Sequence, residues 1–184
     1  MIDTVTFITS NLAKVRLLNQ YLAVPVVHKS VDLTEIQSID LSAIVEHKAR
    51  EAYQHVRSPV LIEDASLRFL ALGRLPGPLI KWFLTELGTD GLCHLLDNYP
   101  DRSALTEVQF CLYDGQSFHT FANAQKGAIA STPRGSNGFG WDSIFIPTGY
   151  QITWAEMTDE DSQATSLRKP ALKKLEAYLK AQTV

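Results

Sequence analysis

An apolar run, Val60-Leu61-Ile62, reads as a buried strand and ends on two adjacent carboxylates, Glu63 and Asp64. A strand that opens onto acids and then a hydroxyl, Ser66, is a common setting for metal-assisted chemistry. The turn Pro76-Gly77-Pro78 then leads into Ile80-Lys81-Trp82-Phe83, where Lys81, seventeen residues beyond Asp64, stands among apolar and aromatic neighbours. Acids suited to a hard cation and a lysine suited to an anion suggest a phosphate-bearing substrate with Mg²⁺. A plainer account has the two acids capping a strand and Lys81 solvated.

The 184-residue length fits one domain with a substantial core. A net charge of −3 argues against a nucleic-acid polymer as partner, which demands a basic face, while leaving room for a small anion held by local lysines. No apolar run approaches membrane-spanning length, so no membrane partner is expected. Cys93 and Cys111 lack metal-ligand spacing and no secretory segment opens the sequence, so both read as reduced core thiols of a cytoplasmic protein. The five histidines show no zinc spacing and no nucleophile partner, and surface or packing roles are expected for them.

Toward the N-terminus, Val5-Thr6-Phe7-Ile8 has strand composition and runs into Thr9-Ser10-Asn11-Leu12-Ala13-Lys14. A helical pattern follows, with Val15, Leu18, Tyr21 and Leu22 on one face. Strand, polar turn and helix together point backbone N–H groups at an anion, with Ser10 or Asn11 as N-cap and Lys14 in the first turn. The glycine pattern of a Walker A loop is absent, and a simple capped helix explains the stretch equally well.

Residues 25–31 read as a second strand. A helix is expected after Asp40, with Val45, Ala49, Ala52 and Val56 buried and Lys48 beside that face, snorkelling or pointing into a cleft. Gly88 and Gly91 punctuate two helical pieces, and Val108, Phe110 and Leu112 alternate as in a half-exposed strand. Asp114-Gly115 then signals a hairpin. In Arg134-Gly135-Ser136-Asn137-Gly138-Phe139-Gly140-Trp141-Asp142, three glycines permit close backbone approach to a ligand. Phe139 and Trp141 offer faces for a base, and Asp142 offers an acceptor. A glycine-rich turn with core aromatics accounts for the same residues. A strand is expected at 143–146, a solvated helix or turn at Thr158–Ser162, and a final amphipathic helix opening near Ser166-Leu167-Arg168, with Pro170 near its start.

Taken in order, Thr9–Lys14, Asp32–Gln37 with Glu35, Lys48, Glu63–Leu67, Leu75–Phe83, Arg134-Gly135, Phe139–Asp142, Ala155-Glu156-Met157 and Ser166–Arg168 form a set. On these segments the sequence resembles the inosine/xanthosine triphosphate pyrophosphatase family across nearly its whole length. The resemblance implies an α/β fold, a long mixed β-sheet with helical lobes flanking a central substrate cleft, as one two-lobed domain over 1–184. It implies a homodimer that clears ITP, dITP and XTP from the nucleotide pool by Mg²⁺-dependent hydrolysis to the monophosphate and pyrophosphate. By resemblance, Thr9, Ser10, Asn11 and Lys14 cradle the triphosphate, Glu35 and Asp64 bind Mg²⁺, and Asp64 is the proton acceptor. Ala65 lines the nucleotide, Lys48 and Lys81 bind substrate, Phe139, Gly140, Trp141 and Asp142 hold base and sugar, and Arg168 reads the 6-oxo group.

Two positions depart from the pattern. Ser162 stands where the family carries a substrate-contacting lysine, and Leu167 replaces the histidine of Ser-His-Arg. Selectivity for inosine over adenine is what these changes put at issue. A catalytically weak nucleotide-binding or sensor protein on the same fold is the competing expectation, and a hydrolase retuned to another nucleotide is a third.

Overall fold

The computed structural model describes residues 3–182. The chain forms two compact units. The first comprises the residues through Asp64, Val108–Asn123 and those from Arg168 onward; the second comprises Ala65–Glu107 and Ala124–Leu167. Seven strands form a mixed sheet. They are β1 (Val5–Ile8), β2 (Val26–Lys29), β3 (Val60–Phe69), β4 (Pro76–Gly77), β5 (Ser103–Tyr113), β6 (Phe118–Ile129) and β7 (Phe145–Pro147). Their order is β2-β1-β3-β5-β6-β7, with β4 paired to β3. β1 runs parallel to β2, with Val5 opposite Val26, and parallel to β3, with Phe7 opposite Leu61. β4 and β7 are antiparallel to β3 and β6, with Leu67 opposite Gly77 and Ala128 opposite Ile146.

In the first unit, α1 (Leu12–Tyr21) starts at Asn11, whose Oδ1 accepts from Ala13 N at 2.9 Å. Such a bond satisfies one of the unpaired N–H groups of a first turn. Helix α2 (Leu41–Val56) starts in the same way at Asp40 and stops at Arg57, which adopts the left-handed conformation. Its Val45, Ala49 and Ala52 pack with Ile8, Val60, Ile62 and Cys111, and Val56 lies partly buried at the margin. The last helix, α5 (Arg168–Ala181), carries Pro170 at its third position, where no helical N–H is lost, and buries Ala171, Leu172, Leu175 and Leu179. In the second unit, α3 (Ile80–His94) joins a core of Leu67, Phe69, Ile80, Leu92, Leu96, Ile129, Ile144 and Phe145 together with the strands, while the short α4 (Asp159–Ala164) buries no residue. Gly88, at φ 65° and ψ −178°, divides α3 into two pieces, while Gly91 stays helical.

Three expectations are corrected. β3 does not end at Glu63-Asp64 but runs ten residues straight through the acids, with Glu63 buried. Carboxylates interrupt a buried strand only if left unpaired, and both of these meet cations from the surrounding helices. β5 alternates between partly exposed and buried only up to Glu107; beyond it Val108, Gln109, Phe110, Cys111 and Leu112 are all buried, so this stretch is not half-exposed. As an interior strand between β3 and β6 it is covered on both faces, and the even-numbered alternation records only one of them. Strand β2 is also shorter than the 25–31 expected.

The Asp114-Gly115 hairpin joins β5 to β6, with Asp114 Oδ1 accepting from the N–H of both Gln116 and Ser117 at 2.8 Å. Both cysteines are buried and unbridged, and burial pushes the Cys93 thiol up to about 11 and the Cys111 thiol up to about 12. Neither is an available nucleophile. Among the described residues, no helix is long and apolar enough to cross a membrane.

Candidate active site

The turn after β1 is built from its own side chains. Thr9 Oγ1 accepts from Asn11 N at 3.0 Å, Asn11 caps α1, and the Thr9 carbonyl lies 2.6 Å from His28 Nε2 on β2, which donates to it. His28, for which the sequence suggests only a surface or packing role, thus ties down the 9–14 turn. Lys14, in the first turn of α1, reaches to Glu63 Oε2 at 2.6 Å. Arg168, the first residue of α5, donates from Nη2 to Glu63 Oε1 at 3.0 Å. The Glu63 side chain is only 1% exposed. Burial pushes its carboxyl upward, but the Arg168 and Lys14 charges and hydrogen bonds outweigh that and hold it below the usual carboxylate range.

A second cluster forms around Lys48 of α2. Its Nζ lies 2.7 Å from Asp64 Oδ2 and 2.6 Å from Glu35 Oε2. Burial works against this ammonium, yet Asp64 and then Glu35 prevail and raise its pKa. Adjacent strand residues point to opposite faces. Asp64 therefore shares the face of Ile62, which packs with α2, while Glu63 points to the face where α1 meets α5. Lys14 is paired with Glu63, not with the two acids expected to bind a cation. The trio Lys14, Arg168 and Glu63 carries one positive charge in excess, and the trio Lys48, Glu35 and Asp64 one negative charge. The first suits an anion and the second a cation.

A hard divalent ion takes carboxylate oxygens. Glu35 and Asp64 supply two, no farther apart than the sum of their contacts to Lys48 Nζ, around a position that a positive charge already occupies. The donor set fits a hard divalent cation that draws its further ligands from outside these side chains. Among the described residues, no group of three or more His, Cys, Asp or Glu side chains could hold a metal.

In the second unit, Ala65 follows Asp64 on β3 and is buried. Ser66 is turned inward: its Oγ donates to Glu107 at 3.2 Å and its carbonyl accepts from Thr106 Oγ1, so it is a sheet residue rather than a site hydroxyl. Lys81 is exposed in the first turn of α3, with Nζ 5.3 Å from the Trp82 ring centroid. The 135–143 loop lines an open depression. Phe139 is 49% exposed there and donates its backbone N–H to Asp142 Oδ2 at 2.8 Å, whereas Trp141 packs against the core. A Cβ on Gly138 would lie 2.2 Å from Asp142 Oδ2, so that contact requires glycine.

This loop is pinned to residues 153–156. Asn137 N donates to Ala155 O at 3.1 Å, and Ala155 N donates to Asp142 O at 3.1 Å. Arg134 Nη2 donates to Gln151 O, its Nε lies 3.3 Å from Glu156 Oε2, and Thr153 Oγ1 donates to the Arg134 carbonyl at 2.8 Å. Leu167 is buried at 5% exposure, and Ser162 is exposed on α4.

A family model described as the Ham1 family matches residues 5–178. The chain belongs to the Ham1 family. Over 98% of its length it is 36% identical to all of an inosine triphosphate pyrophosphatase of Scheffersomyces stipitis. Over 97% it is 42% identical to 97% of the enzyme of that name from Fusarium vanettenii. A HAM1 protein of Coxiella burnetii superposes over 98% of this chain and all of that one, with TM-score 0.84 and 26% identity. In this Ham1-family chain, sequence reasoning missed Glu63 as a group that gathers two cations. The only local signal was a second acid beside Asp64, whose partners lie 49 residues before and 105 after. The Thr153 and Glu156 props of the glycine-rich loop left no signal beyond the Ala155-Glu156-Met157 match.

Proposed function

We propose that the chain is a nucleoside triphosphate pyrophosphatase that hydrolyses ITP, dITP and XTP to the monophosphate and pyrophosphate with Mg²⁺, as one functional domain over 1–184. The Asp64–Lys48–Glu35 cluster is the observation that carries this reading: two acids and an ammonium gathered at one place, with Asp64 on a strand whose preceding residue, Glu63, holds Lys14 and Arg168. The curated relatives named as inosine triphosphate pyrophosphatases, matched over nearly their full length, support the substrate class.

Hydrolysis at the α-phosphorus requires water attacking in line while pyrophosphate departs, a task of positioning and charge neutralisation. Glu35 and Asp64 would hold Mg²⁺, which when bound neutralises phosphate charge. Asp64 orients the attacking water and accepts its proton as the bond from the α-phosphorus to the bridging oxygen breaks. Lys48 and Lys81 offset charge on the substrate. Thr9, Ser10, Asn11 and Lys14 hold the triphosphate at the start of α1, where the helix dipole favours an anion. Ala65 and Phe139–Asp142 contact the nucleoside, and Arg168 reads the 6-oxo edge. A homodimer in the cytoplasm completes the proposal.

The test is a screen of nucleoside triphosphates with Mg²⁺ in ¹⁸O-water. Inosine triphosphate should give pyrophosphate and a monophosphate carrying the label. Orthophosphate and a diphosphate as first products would overturn the mechanism, and tight binding without turnover would favour the sensor reading.

A further inference from the structure

Glu63 is the one side chain of the two charged clusters withdrawn almost wholly from solvent, and its two oxygens have separate partners, Lys14 on Oε2 and Arg168 on Oε1. Both cations stand in the first turn of a helix, where the helix dipole disfavours positive charge. A buried carboxylate is a poor means of gaining stability, because desolvation consumes most of the attraction and apolar packing often does as well. It does fix geometry. With both oxygens engaged and its backbone in mid-strand, the Glu63 carboxylate cannot rotate. A guanidinium has five N–H donors in one plane, so committing one of them to a fixed acceptor restricts where the others point. We propose that Glu63 is a positioning residue for base discrimination, holding the Arg168 guanidinium in the orientation that meets the 6-oxo edge. This rests on the reading of Arg168 as the residue that contacts the base.

The experiment measures kcat/KM for inosine and adenosine triphosphates at one Mg²⁺ concentration and takes their ratio. The ratio cancels the amount of folded enzyme and every contact that the two triphosphates share, those of Lys14 included. Glu63→Gln keeps an acceptor but loses its charge, and the ratio should fall about tenfold, the difference between a charged and a neutral hydrogen bond. Arg168→Met should lower it at least as far, and the double variant no further than Arg168→Met alone. Glu63→Asp keeps the charge on a side chain one methylene shorter. Its ratio should fall between wild type and Glu63→Gln, and it carries the test if Glu63→Gln does not fold. Narrowing in Arg168→Met with wild-type ratios in both Glu63 variants overturns the proposal alone. An unchanged ratio in Arg168→Met, or a wild-type ratio near one, overturns the base reading of Arg168 and the proposal with it.

Discussion

Glu63→Gln also makes a sharp prediction about acid stability. The folded Glu63 carboxyl titrates below its ordinary 4.5 because Arg168 and Lys14 outweigh burial. A lowered folded pKa contributes stability that is fully present above 4.5 and is lost as the pH falls from there through the folded value. Removing one partner of a buried ion pair costs about 3–5 kcal/mol. Lys14 and Arg168 keep 21% and 17% side-chain exposure and can be partly hydrated once abandoned, which favours the lower end. For a chain of this size about 3 kcal/mol corresponds to roughly 6–12 °C in Tm. Thermal unfolding of wild type and variant, followed by circular dichroism from pH 7 to pH 3, should show that gap at pH 7 and a progressive narrowing below pH 4.5. Other carboxylates with lowered values, Asp101 and Asp114 among them, act equally on both proteins and drop out of the difference. A gap under about 2 °C at neutral pH, or one that stays constant into acid, would refute the view of Glu63 as an ionised, doubly paired carboxylate.

Asp64→Asn should lower kcat by roughly 10²–10⁴-fold with little change in Tm, whereas Glu35→Gln should chiefly raise the Mg²⁺ concentration needed; full activity in the first would make Asp64 structural. Gly135→Ala should raise KM for the nucleotide more than it alters kcat, because φ is +80° and a Cβ would lie 2.3 Å from the Ala155 carbonyl; an unchanged KM would mean that this loop does not touch substrate. Ser162→Lys with Leu167→His should widen the inosine-to-adenosine ratio. Because Leu167 is buried, the double variant should also lose about 1–3 kcal/mol unless the imidazole finds a partner, and calorimetry against the ratio separates the two effects.

Local chemistry was enough to read several elements from the sequence. A short polar side chain before an apolar periodic run has the geometry to cap a helix, so the sequence offers Ser10 or Asn11 for the first helix and a start after Asp40 for the second; the structure takes Asn11 and Asp40. The faces of α2 and α5 follow from spacing alone, since Val45, Ala49 and Ala52, or Leu172, Leu175 and Leu179, recur at helical intervals. Asp114-Gly115 marked the hairpin because the side chain satisfies two backbone donors and glycine tolerates φ +98°. The ordered series of short segments, rather than any one of them, indicated the family.

Only the tertiary structure decided how far β3 extends and what its acids do. A carboxylate in mid-strand is forbidden or allowed according to partners that arrive from elsewhere. Those partners here are Lys14, Lys48 and Arg168, each on a different helix. The same holds for β5, where burial on the second face depends on what covers the sheet and not on the strand's own alternation. Trp141 and Phe139 stand two residues apart and look equivalent in sequence, yet one packs into the core and the other is exposed, because the loop is pinned at Ala155 from outside its own residues. Pairing between charges distant in sequence has no local signature. For that reason Glu63 was legible as an acid beside Asp64, and its hold on two cations was not.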